Sequence, residues 1–169
     1  MTHRPLVQQL RSEHKVIARG LADIRLVADA LPELSQAQHR ELVRLAVTLF
    51  RRFDQHALEE ERDIYPDVTR LLGNRGLAAA MTYDHRALRA ASAELAGIDP
   101  LDSPRLQALL YGVHALLTAH MQKEEEIVFS MLEPPAINHA GHEEWLGEFA
   151  QPWEPQPSEA DRLHEVVSR

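Results

Sequence analysis

The sequence predicts an all-α protein: an up-down-up-down antiparallel four-helix bundle with a C-terminal extension. Three observations carry that prediction. Apolar residues recur in alternating steps of 3 and 4 through four long segments, the helix breakers fall between those segments, and no stretch shows the alternation of a half-buried strand. Only 5% of the 169 residues are aromatic, in keeping with the absence of strand signals.

The first helix is expected from about Pro5 to Leu31, with Leu6, Leu10, His14, Ile17, Leu21, Ile24 and Ala28 on one stripe. Proline suits a first helical turn, and Leu31-Pro32 ends the segment. A second helix begins near Ser35, an N-cap residue type, and carries Leu42, Leu45, Leu49, Phe53, His56, Glu60 and Ile64 toward Pro66. It can continue a turn or two beyond that proline with a kink. Gly73-Asn74-Arg75-Gly76 is a turn signal. The third helix carries Leu77, Met81, His85, Leu88, Ser92 and Leu95 and stops around Gly97, with Asp99-Pro100 breaking the chain. Ser103 is expected to cap the fourth helix with Pro104 at its first position; Leu106, Leu109, Val113, Leu116, His120, Glu124, Ile127 and Met131 follow before Pro134-Pro135.

Residues 1–133 are thus expected to form the bundle and 134–169 a proline-rich extension. Pro134, Pro135, Pro152, Pro155 and Pro157 prevent one long helix there, leaving room for short ones over 142–149 and 158–167. Trp145, Phe149 and Trp153 supply apolar area, so the extension is expected to pack across the nearby end of the bundle or to dock on a second subunit, with a loosely packed extension as the alternative.

Composition excludes several classes. With no cysteine, the chain has no disulfide, thiolate metal site, iron–sulfur cluster or thiol nucleophile. A net charge of -8 argues against nucleic acid as a partner. No run approaches the roughly 20 apolar residues a membrane span needs, and Met1 to His14 lacks the apolar run of a secretory leader. A soluble cytoplasmic protein, monomeric or homodimeric, is the expectation.

The chemistry sits in a duplicated pattern. His14 precedes His56-x-x-x-Glu60, and His85 precedes His120-x-x-x-Glu124. Histidine and glutamate four apart lie one helical turn apart on a shared face. All six residues fall in the stripe that otherwise holds Leu, Ile and Met, facing the bundle core. A single histidine on an apolar face is more often a satisfied core residue. Two glutamates and four histidines together are not explained that way, because a buried carboxylate is strongly disfavoured unless paired or ligated.

Depth supports the grouping. In an up-down-up-down bundle, the start of helix one lies level with the end of two, the start of three and the end of four. At about 1.5 Å per residue, the six residues fall in one layer roughly 9–21 Å from the same end. Imidazole and carboxylate supplied twice are the donors of a dinuclear centre of the iron type; manganese and zinc accept the same donors. A ferritin-like diiron bundle would need Glu-x-x-His twice, and no histidine here has a glutamate three positions before it.

Residues 5–133 resemble the hemerythrin family, specifically its HHE-type domains. The resemblance rests on Ser12-Glu13-His14-Lys15, on His56-Ala57-Leu58-Glu59-Glu60-Glu61 with Tyr65-Pro66, on Tyr83-Asp84-His85, and on His120-Met121-Gln122-Lys123-Glu124-Glu125-Glu126. It implies that His14, His56, His85 and His120 are terminal ligands of two iron ions. Glu60 and Glu124 would bridge those irons together with an oxo or hydroxo group.

Oxygen-carrying hemerythrins typically place a fifth histidine one turn after the third-helix ligand, where this chain has Arg89. Counting donors then leaves one open position at each iron, which favours reaction with dioxygen, peroxide or nitric oxide over a tightly controlled oxygen site. A water, or Glu59 or Glu61, could fill the gap. The remaining members of the two glutamate triplets are expected to be solvated charge or to order the shell. Tyr65 and Tyr83 are expected near the metal layer, with packing the first reading for both and a role as ligand or as support to the ligands the second.

Among the other histidines, His114 falls on a different face from His120, and His39 lies far along the helix from His56. His139 and His142 form a weak His-x-x-His-Glu pattern with Glu143, and His3 and His164 read as exposed terminal residues. Three function classes survive: a diiron protein reacting with a small oxidant in stress protection, with catalase- or peroxidase-like activity one form of it; a non-catalytic iron or oxygen sensor; and an iron store or carrier. The missing fifth histidine favours the first.

Overall fold

The computed structural model describes residues 4–133, which form an antiparallel bundle of helices with no strand among the described residues. Its elements are α1 (Arg4–Ala30), a 3-10 turn (Leu31–Glu33), α2 (Gln36–Glu59), a π-helical turn (Glu60–Ile64), α3 (Tyr65–Leu72), α4 (Gly76–Gly97), α5 (Ser103–Lys123), a second π-helical turn (Glu124–Val128) and α6 (Phe129–Leu132). The chain therefore passes four times along the bundle, as expected. Expectations for His3, His139, His142, His164 and the extension from Pro134 lie outside the described residues.

Local chemistry sets the boundaries. Ser35 caps α2 in a reciprocal box: its side chain accepts from the Gln38 backbone N–H, while the Gln38 side chain accepts from the Ser35 N–H. Gly73 ends α3 at φ 67°, a left-handed position that glycine adopts without strain. The fourth pass corrects one expectation. Asp102, not Ser103, is the N-cap and accepts from the Arg105 N–H, while Ser103 already lies within α5. Aspartate and serine serve equally well as caps, so adjacency in Asp102-Ser103 left residue type unable to choose between them.

The second pass does continue beyond Pro66, to Leu72, and the π turn carries it past that point. The Tyr65 N–H donates to Glu60 O across five residues. The fourth pass repeats the device without a proline, the Phe129 N–H donating to Glu124 O. Each π turn begins at one of the two glutamates singled out by the sequence. Such turns occur mostly as single insertions at functional sites.

Two apolar clusters flank the layer that holds those glutamates. The larger runs away from it through Ile17, Leu21, Phe50, Phe53, Leu88, Leu110 and Leu117. The smaller closes the other side with Val7, Leu10, Ile64, Val68, Met81 and Val128 around Tyr65 and Phe129. At the far end of the bundle, buried His39 faces Leu31 O at 2.9 Å with Nε2 and Pro100 O at 3.0 Å with Nδ1, tying two loops together. It is remote from His56, as expected, and its role is structural.

Candidate metal centre

His14 on α1, His56 on α2, His85 on α4 and His120 on α5 meet Glu60 and Glu124 at the starts of the two π turns, and all six side chains are buried. Their donor atoms form two groups, His14–His56–Glu60–Glu124 and Glu60–His85–His120–Glu124, within each of which they lie within 4.8 Å of one another. Both glutamates belong to both groups. Within each helix the one-turn spacing works as expected: His56 Nε2 is 3.0 Å from Glu60 Oε1, and His120 Nε2 is 3.3 Å from Glu124 Oε2.

The donors fit a cation better than they fit one another. His14 Nε2, His56 Nε2, both oxygens of Glu60 and Glu124 Oε2 are buried without a hydrogen-bond partner, although they approach each other closely. Buried polar atoms are nearly always partnered, so a cluster of exceptions marks a place for an ion.

Each histidine is held from behind. His14 Nδ1 lies 2.7 Å from Glu125 Oε1, His56 Nδ1 2.7 Å from Glu13 Oε2, His85 Nδ1 2.8 Å from Glu61 Oε1, and His120 Nδ1 3.3 Å from Asp84 Oδ2. With Nδ1–H donated to a carboxylate, the neutral ring turns its Nε2 lone pair to the centre, and the carboxylate raises its basicity. Further groups hold those carboxylates. Arg11 pairs with Glu125 and reaches Glu133 at 3.1 Å, Lys123 pairs with Asp84, and Arg89 donates to Glu61 at 2.9 Å and to Asp54 at 2.5 Å.

The field inside this cage calls for positive charge. Burial pulls the His14 imidazole down, but Glu124, Glu125 and Glu60 outweigh it and raise its pKa to about 10. His56 and His120 are raised for the same reason, burial being overcome mainly by Glu60 and by Glu124 respectively. Burial would lift the Glu124 carboxyl, yet His120 and His14 hold it well below the usual range. Glu61 is likewise lowered, His85 and Arg89 overcoming its partial burial. The same carboxylates that favour a proton on these rings favour a cation in its place.

A family model for the hemerythrin HHE cation-binding domain matches residues 6–144. The chain belongs to this family. No curated protein and no solved structure matches the chain. As a hemerythrin-like cation-binding domain with a buried His/Glu cluster, it is a metal-binding protein. Among its described residues, no helix is long and apolar enough to cross a membrane.

The expectations for individual residues in this hemerythrin-like domain come out differently. Glu61 and Glu125 take the second of the two roles expected for the triplets and order the shell, orienting His85 and His14. Glu59 faces away from the centre and accepts from Gln9 at 3.2 Å, while Glu126 is exposed. Tyr83 does not approach the centre: it is 65% exposed and lies beside the Arg86 guanidinium. Tyr65 does more than pack, since its hydroxyl enters the centre and donates to Glu124 Oε1 at 2.5 Å. Burial, then Glu124 and Glu60, raise its pKa, so it remains a neutral donor. His114 is half-buried on another face, as expected, and its pKa is lowered first by burial and then by Arg25.

The orienting roles of Glu13 and Asp84 were missed by sequence reasoning, yet a signal existed. An acid immediately precedes His14 and His85, and an acid immediately follows Glu60 and Glu124. These four positions repeat in the same register as the donors themselves.

Proposed function

We propose that this domain holds two iron ions, His14 and His56 serving one, His85 and His120 the other, with Glu60 and Glu124 shared between them. On this reading it reacts with a small oxidant — dioxygen, hydrogen peroxide or nitric oxide — in protection against oxidative or nitrosative stress. The observation that carries it is the pair of four-donor groups that share both carboxylates. Histidine nitrogens and carboxylate oxygens in equal measure suit a redox-active iron pair. When bound, that pair would supply the electrons and the open position the oxidant needs.

The chain's own residues shape the rest. Glu13, Glu61, Asp84 and Glu125 fix the four rings, so the donors are arranged before any cation arrives. Phe53 sets its ring against His56, His85 and His120 and keeps water from that side. A surface crevice of about 680 Å³ lies between α1 and α2 on the outer side of His56, lined by Gln9, Glu13, Arg52, Gln55, His56 and Glu59. Arg89, in the position of the fifth histidine, is engaged with Asp54 and Glu61 and offers no donor to the centre.

Rapid mixing of the reduced, iron-loaded protein with each oxidant tests this function. Oxidation by at least one of the three, followed by absorption and faster than iron escapes to a chelator, is the expected outcome. A reduced protein inert to all three that surrenders its iron readily would be a carrier or store instead.

A further inference from the structure

The two halves of the centre correspond residue by residue, with one break. His14 matches His85, His56 matches His120, Glu60 matches Glu124, Glu13 matches Asp84 and Glu61 matches Glu125. Directly after each π turn comes an aromatic ring that stacks on a histidine. Tyr65 lies on His85 with centroids 5.5 Å apart and 24° between the planes; Phe129 lies on His14 at 5.4 Å and 22°. The rings are equivalent, and the hydroxyl exists on one side alone. Tyr65 Oη donates to Glu124 Oε1 at 2.5 Å and lies 3.2 Å from His85 Nε2. Phe129 can offer nothing of the kind to Glu60.

The two carboxylates differ accordingly. Glu60 keeps both oxygens free of hydrogen bonds, Oε1 at 3.0 Å from His56 Nε2 and Oε2 at 3.4 Å from His85 Nε2, one toward each histidine pair. Glu124 keeps only Oε2 free, 3.3 Å from both His14 Nε2 and His120 Nε2. Its Oε1 is committed to Tyr65 on the side of His85.

Building on the proposed diiron centre, we infer that Tyr65 is a positioning residue that makes Glu124 bridge through Oε2 alone, leaving a position on the His85–His120 side open to a small anionic or diatomic ligand. Glu60, with no such restraint, bridges through both oxygens. A charge-assisted hydrogen bond is about twice as strong as a neutral one, and here it withholds one donor oxygen from the cations. Removing it frees Oε1 to compete with the ligand for the His85–His120 side.

The test is Tyr65→Phe, studied in the full chain loaded with iron(III), with azide as the probe. The substitution keeps the ring on His85, and Phe129 shows that a phenyl ring is accommodated in the equivalent place. The variant is expected to hold as much iron as the parent while its azide affinity, followed by absorption, falls by about tenfold or more. Unchanged azide affinity at full iron content overturns the positioning role alone. A phenolate-to-iron(III) band in the parent that vanishes in the variant overturns it too, by making Tyr65 a ligand. A parent chain unable to hold two irons would remove the diiron reading and this inference together.

Discussion

Removing the cations is expected to lower the thermal midpoint by about 10 °C. At a free cation concentration a thousandfold above Kd, binding to the native state alone contributes about 4 kcal/mol, and each kcal/mol moves the midpoint by about 2–4 °C at this size. Against the pull of burial, Glu124, Glu125 and Glu60 raise the pKa of His14 to about 10, so a proton on that ring would offset part of the loss in stripped protein. A raised histidine stabilises the fold fully below its unfolded pKa near 6.5 and loses that contribution as pH climbs toward 10. Cations replace those protons, so the gap between loaded and stripped protein should widen from pH 6.5 to pH 9. Circular-dichroism melts with and without chelator check both statements. Identical midpoints at both pH values would mean the cluster does not gain stability from a metal.

Glu125→Ala is expected to weaken cation binding by about 10–100-fold, the usual consequence of removing a carboxylate that orients a metal-binding histidine. Glu125 has a side chain only 5% exposed, whereas Glu13, which does the same for His56, is 37% exposed. Solvent can replace the Glu13 carboxylate on the His56 Nδ1–H, so Glu13→Ala should weaken binding less. Removing Glu125 also takes from Arg11 one of its carboxylate partners, leaving Glu133 among the described residues. Titration against a chelator of known affinity ranks the two variants. The reverse order, or no effect from either, would mean that the carboxylates behind the rings do not set affinity.

The bundle was legible because its signals are periodic and repeated. Leu10, His14, Ile17, Leu21 and Ile24 reveal the buried face of α1 directly, and Ser35 announces the start of α2. The grouping of His14, His56, Glu60, His85, His120 and Glu124 followed from counting rise along antiparallel helices, which needs no side-chain detail. The contributions of Tyr65 and Phe129 were harder to read, because regular α-helical geometry through Glu60 and Glu124 points both rings elsewhere. At about 100° per residue, a position five residues on lies about 140° round the helix from its glutamate. The π turns at Glu60–Ile64 and Glu124–Val128 insert an extra residue, bringing Tyr65 and Phe129 back toward the centre. Nothing in hydrophobic periodicity announces such a turn. Glu13 and Asp84 escaped for another reason: their repeat beside His14 and His85 marks them out, but each orients a histidine on a neighbouring helix, and spacing along one helix does not say which.

Metal analysis with an ultraviolet–visible spectrum of the protein purified in air, beside His56→Ala and Glu124→Ala, decides between a cation centre and a structural cluster. About two irons per chain, one for each donor group, with near-ultraviolet oxo-to-iron absorption lost in both variants, is the predicted result. A colourless parent protein that carries zinc or no metal, and is as stable as both variants, would contradict the diiron centre.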